Sequence, residues 1–170
     1  TMGEQAVYLG SFSKVLAPGL RLGYVLAPPV LYPKLLQAKQ AADLHTPIFN
    51  QRVVHEVLRD GFLDRHVPTI RARYKVQRDA MEAALERHLA GLASWIRPMG
   101  GMFFWLELDD GIDAMALLPR AVEAGMAFVP GAAFYAAAPR ANTLRLSFVT
   151  ASPEKIRERY QQLGAAERFA

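Results

Sequence analysis

The sequence of 170 residues contains no cysteine. It can form neither disulfide bonds nor thiolate metal sites, and nothing in it requires an oxidising compartment, so we expect a cytoplasmic protein. Long apolar runs are missing too. The longest uncharged stretch, residues 124–139, is broken by Pro130 and Gly131 and falls short of the roughly 18 apolar residues of a membrane span. The opening residues lack a basic end followed by an apolar run, so neither a membrane helix nor a signal peptide is predicted.

Charge of one sign is nowhere concentrated. The chain has 20 lysines and arginines against 16 aspartates and glutamates, a formal net charge of +4. The densest basic stretch, residues 65–78, has apolar residues at helical spacing, which indicates a solvated helix face rather than a nucleic-acid surface. The four histidines show no pairing three or four residues apart, so no metal site is predicted. Hydrophobic residues make up 52%, enough to pack one domain or parts of two.

The first part of the chain predicts two buried strands and two helices. Residues 6–10 and 20–27 are apolar runs typical of strands inside a sheet. Because the first run begins so near residue 1, the opening looks like a cut within a longer protein. Helical spacing then predicts one helix over residues 30–41 and, after turn residues at 43–47, another that ends near Leu58.

Two further helices are predicted from apolar stripes. The longer one covers residues 63–89, and Pro68 can introduce a kink in it. Its stripe consists of Ile70, Tyr74, Met81, Leu85 and Leu89. A helix of this length can join two domains. The closing helix begins at Ser152, a candidate N-cap followed by proline and glutamate, and its inner stripe is Ile156, Tyr160 and Leu163.

The region between these helices predicts a small α+β unit. Two sets of residues alternate along each of two stretches, as in strands with two different faces. In the first stretch Met102, Phe104, Leu106 and Leu108 alternate with Phe103, Trp105 and Glu107, and in the second Leu144, Leu146 and Phe148 alternate with Arg145 and Ser147. Asp113 is a candidate N-cap for a helix that stops at Gly125. Residues 127–129 add another short strand.

The loop between the first two strands, residues 11–24, has the residue types of a chemical site. A lysine amine on a turn at a strand end can bond covalently to an aldehyde cofactor when burial and neighbouring cations lower its pKa, and Lys14 has that position. The hydroxyls of Ser11 and Ser13 and the guanidinium of Arg21 suit a phosphate dianion, because they donate neutral and charge-assisted hydrogen bonds. Together these residues predict a site for a phosphorylated aldehyde.

Two other interpretations of this loop compete with that site. A lone Ser-x-Ser-Lys is usually an ordinary polar loop with an exposed lysine, but here the pattern is longer, and Gly19 and Gly23 would let the backbone turn and approach closely. A phosphate-binding NTPase loop is excluded. That loop has glycine immediately before its lysine, and Ser13 stands in that place.

Across its fixed positions, the loop resembles the cofactor-lysine signature of fold-type-I aminotransferases of classes I and II, enzymes that depend on pyridoxal 5'-phosphate (PLP). The resemblance implies that Lys14 holds the cofactor aldehyde and also carries the substrate Cα proton as general acid and base. It implies that Ser11, Ser13 and Arg21 bind the cofactor phosphate.

Arg145 is the second candidate. Strand alternation sends its side chain to the face opposite Leu144, Leu146 and Phe148, which by itself is also what a surface charge would do. However, residues 142–148 resemble the family segment whose arginine binds the substrate α-carboxylate in a bidentate pair. Two further stretches, 98–103 and 129–131, also resemble the family, and we interpret them as turns near the mouth of the active site.

The resemblance covers essentially the whole chain and implies an α/β fold. Residues 1–62 would be the last strands and helices of the PLP-transferase large domain, residues 63–92 a linking helix, and residues 93–170 a small C-terminal α+β domain. Within the family, residues 37–40 and 42–47 particularly resemble the bacterial 2-aminoadipate aminotransferases of lysine biosynthesis.

That subgroup implies substrates and partners. Such enzymes transfer an amino group between 2-aminoadipate and 2-oxoglutarate and form homodimers, in which the segment around His45 would approach the neighbouring subunit's cofactor. Several family features have no counterpart in these 170 residues: the loop amides for phosphate, the ring-stacking aromatic residue and the carboxylate that keeps the pyridine nitrogen protonated. Since the protonated ring is the electron sink, we expect this chain alone to be nearly inactive.

Two alternatives stay open. Some bacterial transcription regulators of the GntR/MocR type fuse a DNA-binding helix-turn-helix to an aminotransferase-like effector domain, and their C-terminal halves look alike. The discriminating feature would be a basic helix-turn-helix upstream in the parent gene. A PLP-dependent lyase or synthase of the same fold would keep Lys14 and Arg21 but change the substrate contacts.

Overall fold

The structure is a computed structural model that describes the backbone of residues 6–166 and the side chains of residues 6–160. The chain divides into two compact units, and the boundary falls between Thr69 and Ile70. The predicted three-part division at residues 62 and 92 stays a prediction. Within the described residues, no helix combines the length and apolar character that crossing a bilayer would take.

Two short antiparallel strands begin the first unit. β1 (Tyr8–Ser11) pairs with β2 (Gly23–Leu26), so that Ser11 lies opposite Gly23. Strands are therefore confirmed near both predicted runs, but their predicted burial is wrong: every strand residue except the half-buried Gly10 is exposed. An apolar run favours a strand locally, whereas burial needs a second layer over the sheet, and Val54 is the only buried residue among residues 6–69.

Two helices follow close to their predicted positions. α1 (Tyr32–Asp43) has a proline in its first turn, where the missing N–H has no helical acceptor to lose. It ends because Leu44 turns to a φ of 64° and donates its amide back to Gln40. α2 (Ile48–Leu58) starts directly after Pro47 and carries Val54 on its inner side.

The long helix is confirmed as α3 (Phe62–His88), which continues through Pro68. Its buried face contains Gln77, Met81, Ala84 and Leu85, and Leu89 is buried just beyond its end. Gln77 was not part of the predicted stripe. Its side-chain N–H donates to the carbonyl of Ala151 at 2.7 Å, which offsets part of the cost of burying the amide, while its Oε1 has no hydrogen-bond partner among the described residues.

The second unit is built on a four-stranded antiparallel sheet in the order β3-β4-β6-β5. The strands are β3 (Ala93–Trp95), β4 (Phe103–Leu108), β5 (Val129–Pro130) and β6 (Thr143–Ser147). The alternation predicted for the two central strands is confirmed, since Phe104, Leu106 and Leu108 are buried while Phe103 and Trp105 are each 37% exposed. β5 begins at Val129, two residues after its predicted start at 127. Phe128, which the prediction included in this strand, precedes it and packs in the core.

Two helices complete the unit. α4 (Ala114–Glu123) has the predicted N-cap: the Asp113 carboxylate accepts the amide of Met115 at 2.7 Å. It stops where Gly125 adopts a φ of 77°. α5 (Pro153–Ala166) begins after Ser152, whose hydroxyl accepts the amide of Lys155 at 3.4 Å. Its residues Ile156 and Tyr160 are buried as predicted, whereas Leu163 lies outside the described side chains. Burial raises the pKa of the Tyr160 phenol.

The core of this unit should be sensitive to truncation of Leu85. Its side chain has no exposed surface and packs in the cluster that joins α3 to the sheet. We expect Leu85→Ala to lower the free energy of unfolding by about 2–5 kcal/mol, because it removes apolar contacts and leaves a cavity. Urea unfolding followed by circular dichroism measures the change. The control is Glu86→Ala on the exposed side of the same helix, and an equal effect of both variants would contradict this account of the core.

Candidate active site

The predicted cofactor residues lie in one stretch of chain, which begins with Ser11 at the end of β1 and continues through the connection to β2. Residues 12–16 form consecutive turns closed by the Phe12 carbonyl, which accepts the amides of Leu16 at 2.9 Å and Ala17 at 3.2 Å. The Phe12 amide donates to the carbonyl of Leu22 at 3.1 Å and so closes the base of the loop. Lys14 stands on this turn with an exposed side chain. Backbone hydrogen bonds within the loop therefore fix the position of its backbone.

Arg21 follows a 3₁₀-helix, Pro18–Leu20, and has a left-handed backbone with φ 50° and ψ 38°. Such a conformation is costly for a residue with a Cβ and is held here by the hydrogen bond from its amide to the carbonyl of Pro18 at 3.2 Å. The 3₁₀-helix occupies the start of the stretch predicted as a strand over residues 20–27. The strand itself begins only at Gly23 because this turn precedes it.

Asn50 also supports the loop and was not identified from the sequence. Its side-chain amide donates to the carbonyl of Leu20 at 3.0 Å, across a sequence separation of 30 residues. The contact ties α2 to the residue just before Arg21. No local sequence pattern around Asn50 indicates this contact, because the contact depends on how α2 packs against the loop.

Close backbone packing involves Gly23 as predicted, but not Gly19. A Cβ on Gly23 would lie 2.8 Å from the carbonyl oxygen of Gly10, whereas one on Gly19 would meet nothing within 4 Å. Gly10 is equally constrained, since its Cβ would lie 2.2 Å from the ring of Tyr24. The Tyr8 hydroxyl raises the pKa of the Tyr24 phenol above its ordinary value.

The donor groups of this loop suit a phosphorylated aldehyde. The Ser11 hydroxyl oxygen accepts the amide of Ser13 at 3.1 Å, which leaves its O–H proton to donate to a ligand. Ser13 brings a second hydroxyl, Arg21 brings a permanent positive charge, and the Lys14 amine is accessible on the turn. The side chains present therefore fit PLP chemically: hydroxyl and guanidinium donors for its phosphate, and an amine for its aldehyde.

Arg145 lies in the second unit, on β6. Its neighbours Leu144 and Leu146 point into the core, and Arg145 is half-buried on the opposite face of the sheet. The guanidinium carbon lies 4.1 Å from the ring centroid of Phe103 and 4.4 Å from that of Phe134. Its Nε is buried and, among the residues that the structure describes, has no hydrogen-bond partner.

Phe134 reaches Arg145 from a 3₁₀-helix, Gly131–Phe134, that packs closely on β6. A Cβ on Gly131 would lie 2.1 Å from Oγ1 of Thr143, which is fully buried and donates to the carbonyl of Arg140 at 2.9 Å. The turn predicted at residues 129–131 is thus a point of close approach between two backbone segments. The Phe134 contact could not be found from the sequence, because it depends on this approach.

The other predicted turn, at residues 98–103, is tied to both neighbouring elements. The carbonyl of Pro98 accepts from the Arg78 guanidinium on α3 at 3.2 Å, and the carbonyl of Met102 accepts the amide of Phe148 at 3.1 Å. Gly101 has a φ of 79°, a conformation that favours glycine. These contacts fix the entry to β4, the strand that carries Phe103.

Comparison with known proteins identifies the family. The family model for aminotransferase class I and II matches residues 1–163, and the chain belongs to this family, whose members depend on PLP. It is 49% identical over 160 residues to the 2-aminoadipate transaminase of Thermus thermophilus, covering 94% of this chain and 40% of that enzyme. It is 45% identical over 159 residues to aromatic-amino-acid aminotransferase 1 of Thermococcus litoralis, and the match covers 94% of this chain and 38% of that enzyme.

A regulator and a solved enzyme extend this similarity. An uncharacterized HTH-type transcriptional regulator of Bacillus subtilis is 34% identical over 158 residues, which cover 93% of this chain and 32% of the regulator. The crystal structure of the α-aminoadipate aminotransferase of Thermus thermophilus, complexed with N-(5'-phosphopyridoxyl)-L-leucine, matches with a TM-score of 0.90 and 47% identity. The match covers 96% of this chain and 42% of that structure. The chain thus spans about two fifths of the length of the aminotransferases it matches.

The close approach at Gly131 gives a stability prediction. We expect Gly131→Ala to lower the free energy of unfolding by about 1–3 kcal/mol, because the new methyl group overlaps Thr143 and its backbone and must push two segments apart. Thermal and urea unfolding measure the loss. Gly100→Ala is the matched control in the same unit, since its Cβ would meet nothing within 4 Å. Equal stability of Gly131→Ala and the unmodified protein would show that the contact tolerates a side chain.

Proposed function

We propose that the whole protein is a PLP-dependent aminotransferase and that this chain is its C-terminal part. The observation that carries the proposal is the segment from the end of β1 to the start of β2, which carries Lys14 on an exposed turn and, within the same short stretch, the hydroxyls of Ser11 and Ser13 and the guanidinium of Arg21. Membership of the class I and II aminotransferases supports it. When bound, PLP supplies an electron sink that stabilises the charge left on the substrate Cα.

In this proposal the five site residues of the chain fall into three groups with different tasks. Ser11, Ser13 and Arg21 bind the phosphate and so anchor the cofactor. Lys14 would hold the cofactor aldehyde in the resting enzyme. With substrate bound, its free amine would take the proton from the substrate Cα as general base and then deliver that proton as general acid. Arg145 binds the α-carboxylate with a planar pair of N–H donors, which fixes the direction of the Cα–H bond.

The substrate pair we propose is 2-aminoadipate and 2-oxoglutarate. The similarity to the Thermus thermophilus 2-aminoadipate transaminase supports it. The Thermococcus litoralis relative is nearly as similar and is named for aromatic amino acids, so specificity must be measured on the whole protein. Initial rates with 2-aminoadipate, phenylalanine and alanine, each with 2-oxoglutarate, would separate these choices. Breakdown of the amino acid without formation of glutamate would favour a lyase of the same fold.

The whole protein would act as a cytoplasmic homodimer. These 170 residues contain no cysteine, so this part of the fold uses no disulfide and is compatible with a reducing compartment. In a dimer, the segment around His45 would approach the neighbouring subunit's cofactor. His45 is exposed in the first unit, and its ring Nδ1 lies 3.1 Å from the carbonyl oxygen of its neighbour Thr46.

A regulator of the GntR/MocR type is the second candidate, because the chain is 34% identical to an HTH-type transcriptional regulator over nearly its whole length. In such a protein this chain would belong to an effector domain that senses PLP or an amino acid. A basic helix-turn-helix segment upstream in the parent gene would identify this class. Binding of the whole protein to its own promoter region, measured with and without PLP, would test it directly.

Covalent labelling tests the role of Lys14. We expect borohydride treatment of the full-length protein with PLP to attach the reduced cofactor to Lys14, because reduction makes the bond between lysine and aldehyde permanent. Peptide mapping by mass spectrometry locates the label. Lys14→Ala should lose both the cofactor absorbance and at least about 100-fold in turnover, since the general acid and base is removed. Lys34→Ala, an exposed lysine on α1, is the control. A label at another lysine would overturn the assignment.

The isolated chain should be nearly inactive. This sequence has no counterpart of the carboxylate that keeps the pyridine nitrogen protonated, so the electron sink would be weak even if Lys14 bound the cofactor. Assay of the 170-residue chain alone, then with the remaining part of the protein supplied as a second polypeptide, measures the difference. Activity should appear only in the mixture. Full turnover by the chain alone would contradict the prediction.

A further inference from the structure

The surroundings of Arg145 are unusual for a charged residue on a sheet face. Two aromatic rings from separate elements contact its guanidinium: Phe103 lies on β4, and Phe134 lies on the 3₁₀-helix before β6. Neither ring belongs to the hydrophobic core, since Phe103 is 37% and Phe134 is 47% exposed. Trp105 packs edge-on against Phe134, with ring centroids 5.7 Å apart. These rings contact the arginine instead of filling the core.

Contacts with two rings restrict the guanidinium. A cation over a ring face is attracted by the negative face of the π system, and contacts from two elements limit rotation of the long arginine side chain. The rings also keep water from the guanidinium faces, which strengthens its interaction with an anion. An arginine held in this way loses less side-chain freedom when it binds a ligand.

Arg145 has no partner carboxylate in the part of the chain that the structure describes. Of its three nitrogens, only Nε is buried without an acceptor there, so the terminal nitrogens are the ones that a ligand can reach. Leaving a half-buried guanidinium without an anion is unfavourable, and a carboxylate can accept from two of its N–H donors at the same time. The terminal donors of Arg145 are therefore available to a carboxylate supplied by a ligand.

We propose that Phe103 and Phe134 are positioning residues that hold the Arg145 guanidinium for the substrate α-carboxylate. The inference rests on the proposed function, in which Arg145 binds that group. We call the pair of rings, Phe103 and Phe134, the clamp. Trp105 supports the clamp indirectly through its contact with Phe134. The two rings act only through Arg145 and so affect only ligands that carry a carboxylate at this position.

The experiment uses the full-length protein and the variants Phe134→Leu and Phe134→Tyr. Leucine keeps apolar volume but removes the ring face, whereas tyrosine keeps the ring. The substrates are 2-aminoadipate and 5-aminopentanoate, the same amine without the α-carboxylate, and the cofactor absorbance change gives rate against concentration. We expect Phe134→Leu to raise the half-saturating concentration of 2-aminoadipate roughly 3- to 30-fold, the range that loss of one cation–π contact implies. The response to 5-aminopentanoate should not change. Phe134→Tyr should keep the wild-type half-saturating concentration for 2-aminoadipate.

Controls separate positioning from general damage. Phe62→Leu removes a ring that stacks on His66 in α3, at 5.0 Å between centroids, and should leave both substrates unaffected. The unfolding temperature of each variant reports its folding. If Phe134→Leu raises the half-saturating concentration of both substrates equally, or of neither, the inference is overturned. This holds even where labelling of Lys14 supports the aminotransferase function.

A binding measurement makes the inference independent of turnover. Calorimetric titration with glutarate, an unreactive dicarboxylate, compares the wild-type protein with Phe103→Leu, Phe134→Leu and Arg145→Gln. We expect weaker binding in all three, with the largest loss in Arg145→Gln. If glutarate binding requires Arg145 but not the rings, the clamp is refuted. If binding follows the expected order while no transamination occurs, the clamp stands and the proposed function fails.

Discussion

The register between β4 and β6 is the constraint on which the second unit depends. It pairs Phe104 with Leu146 and Leu106 with Leu144, and all four side chains are buried. The same register puts Trp105 opposite Arg145 on the other face. A slip of one residue would move the apolar set to solvent and Arg145 into the core, at a large cost in free energy. Burial of the core thus also decides where the charged side chain lies.

The two candidate groups are held by different kinds of interaction. The loop that carries Lys14 is closed by its own backbone hydrogen bonds, so its shape is largely a local property. The reactivity of an amine, in contrast, depends on burial and on neighbouring charges. In the first unit these surroundings are sparse, because Val54 is the only buried residue among residues 6–69. The position of Lys14 therefore depends on local backbone hydrogen bonds, whereas its reactivity depends on the tertiary surroundings.

Several elements were predictable because their determinants are close in sequence. The stripe containing Met81 and Leu85 repeats at helical spacing, and the Asp113 cap needs only amides two and three residues away. The predictions that failed required partners distant in the chain. The strands near residues 6–10 and 20–27 formed, but their burial did not follow, because a side chain is buried only where another layer covers it.

The sequence by itself determined the helices, the alternation that turns Arg145 away from the core, and the run of residues around Lys14 that resembles the family signature. These depend on spacing along the chain. Only the tertiary structure decided that Phe103 and Phe134 both contact Arg145, since the first needs the β4–β6 register and the second needs the close approach of Gly131 to Thr143. Such contacts join residues whose separation in space is fixed by packing, and no periodicity in the sequence encodes that separation.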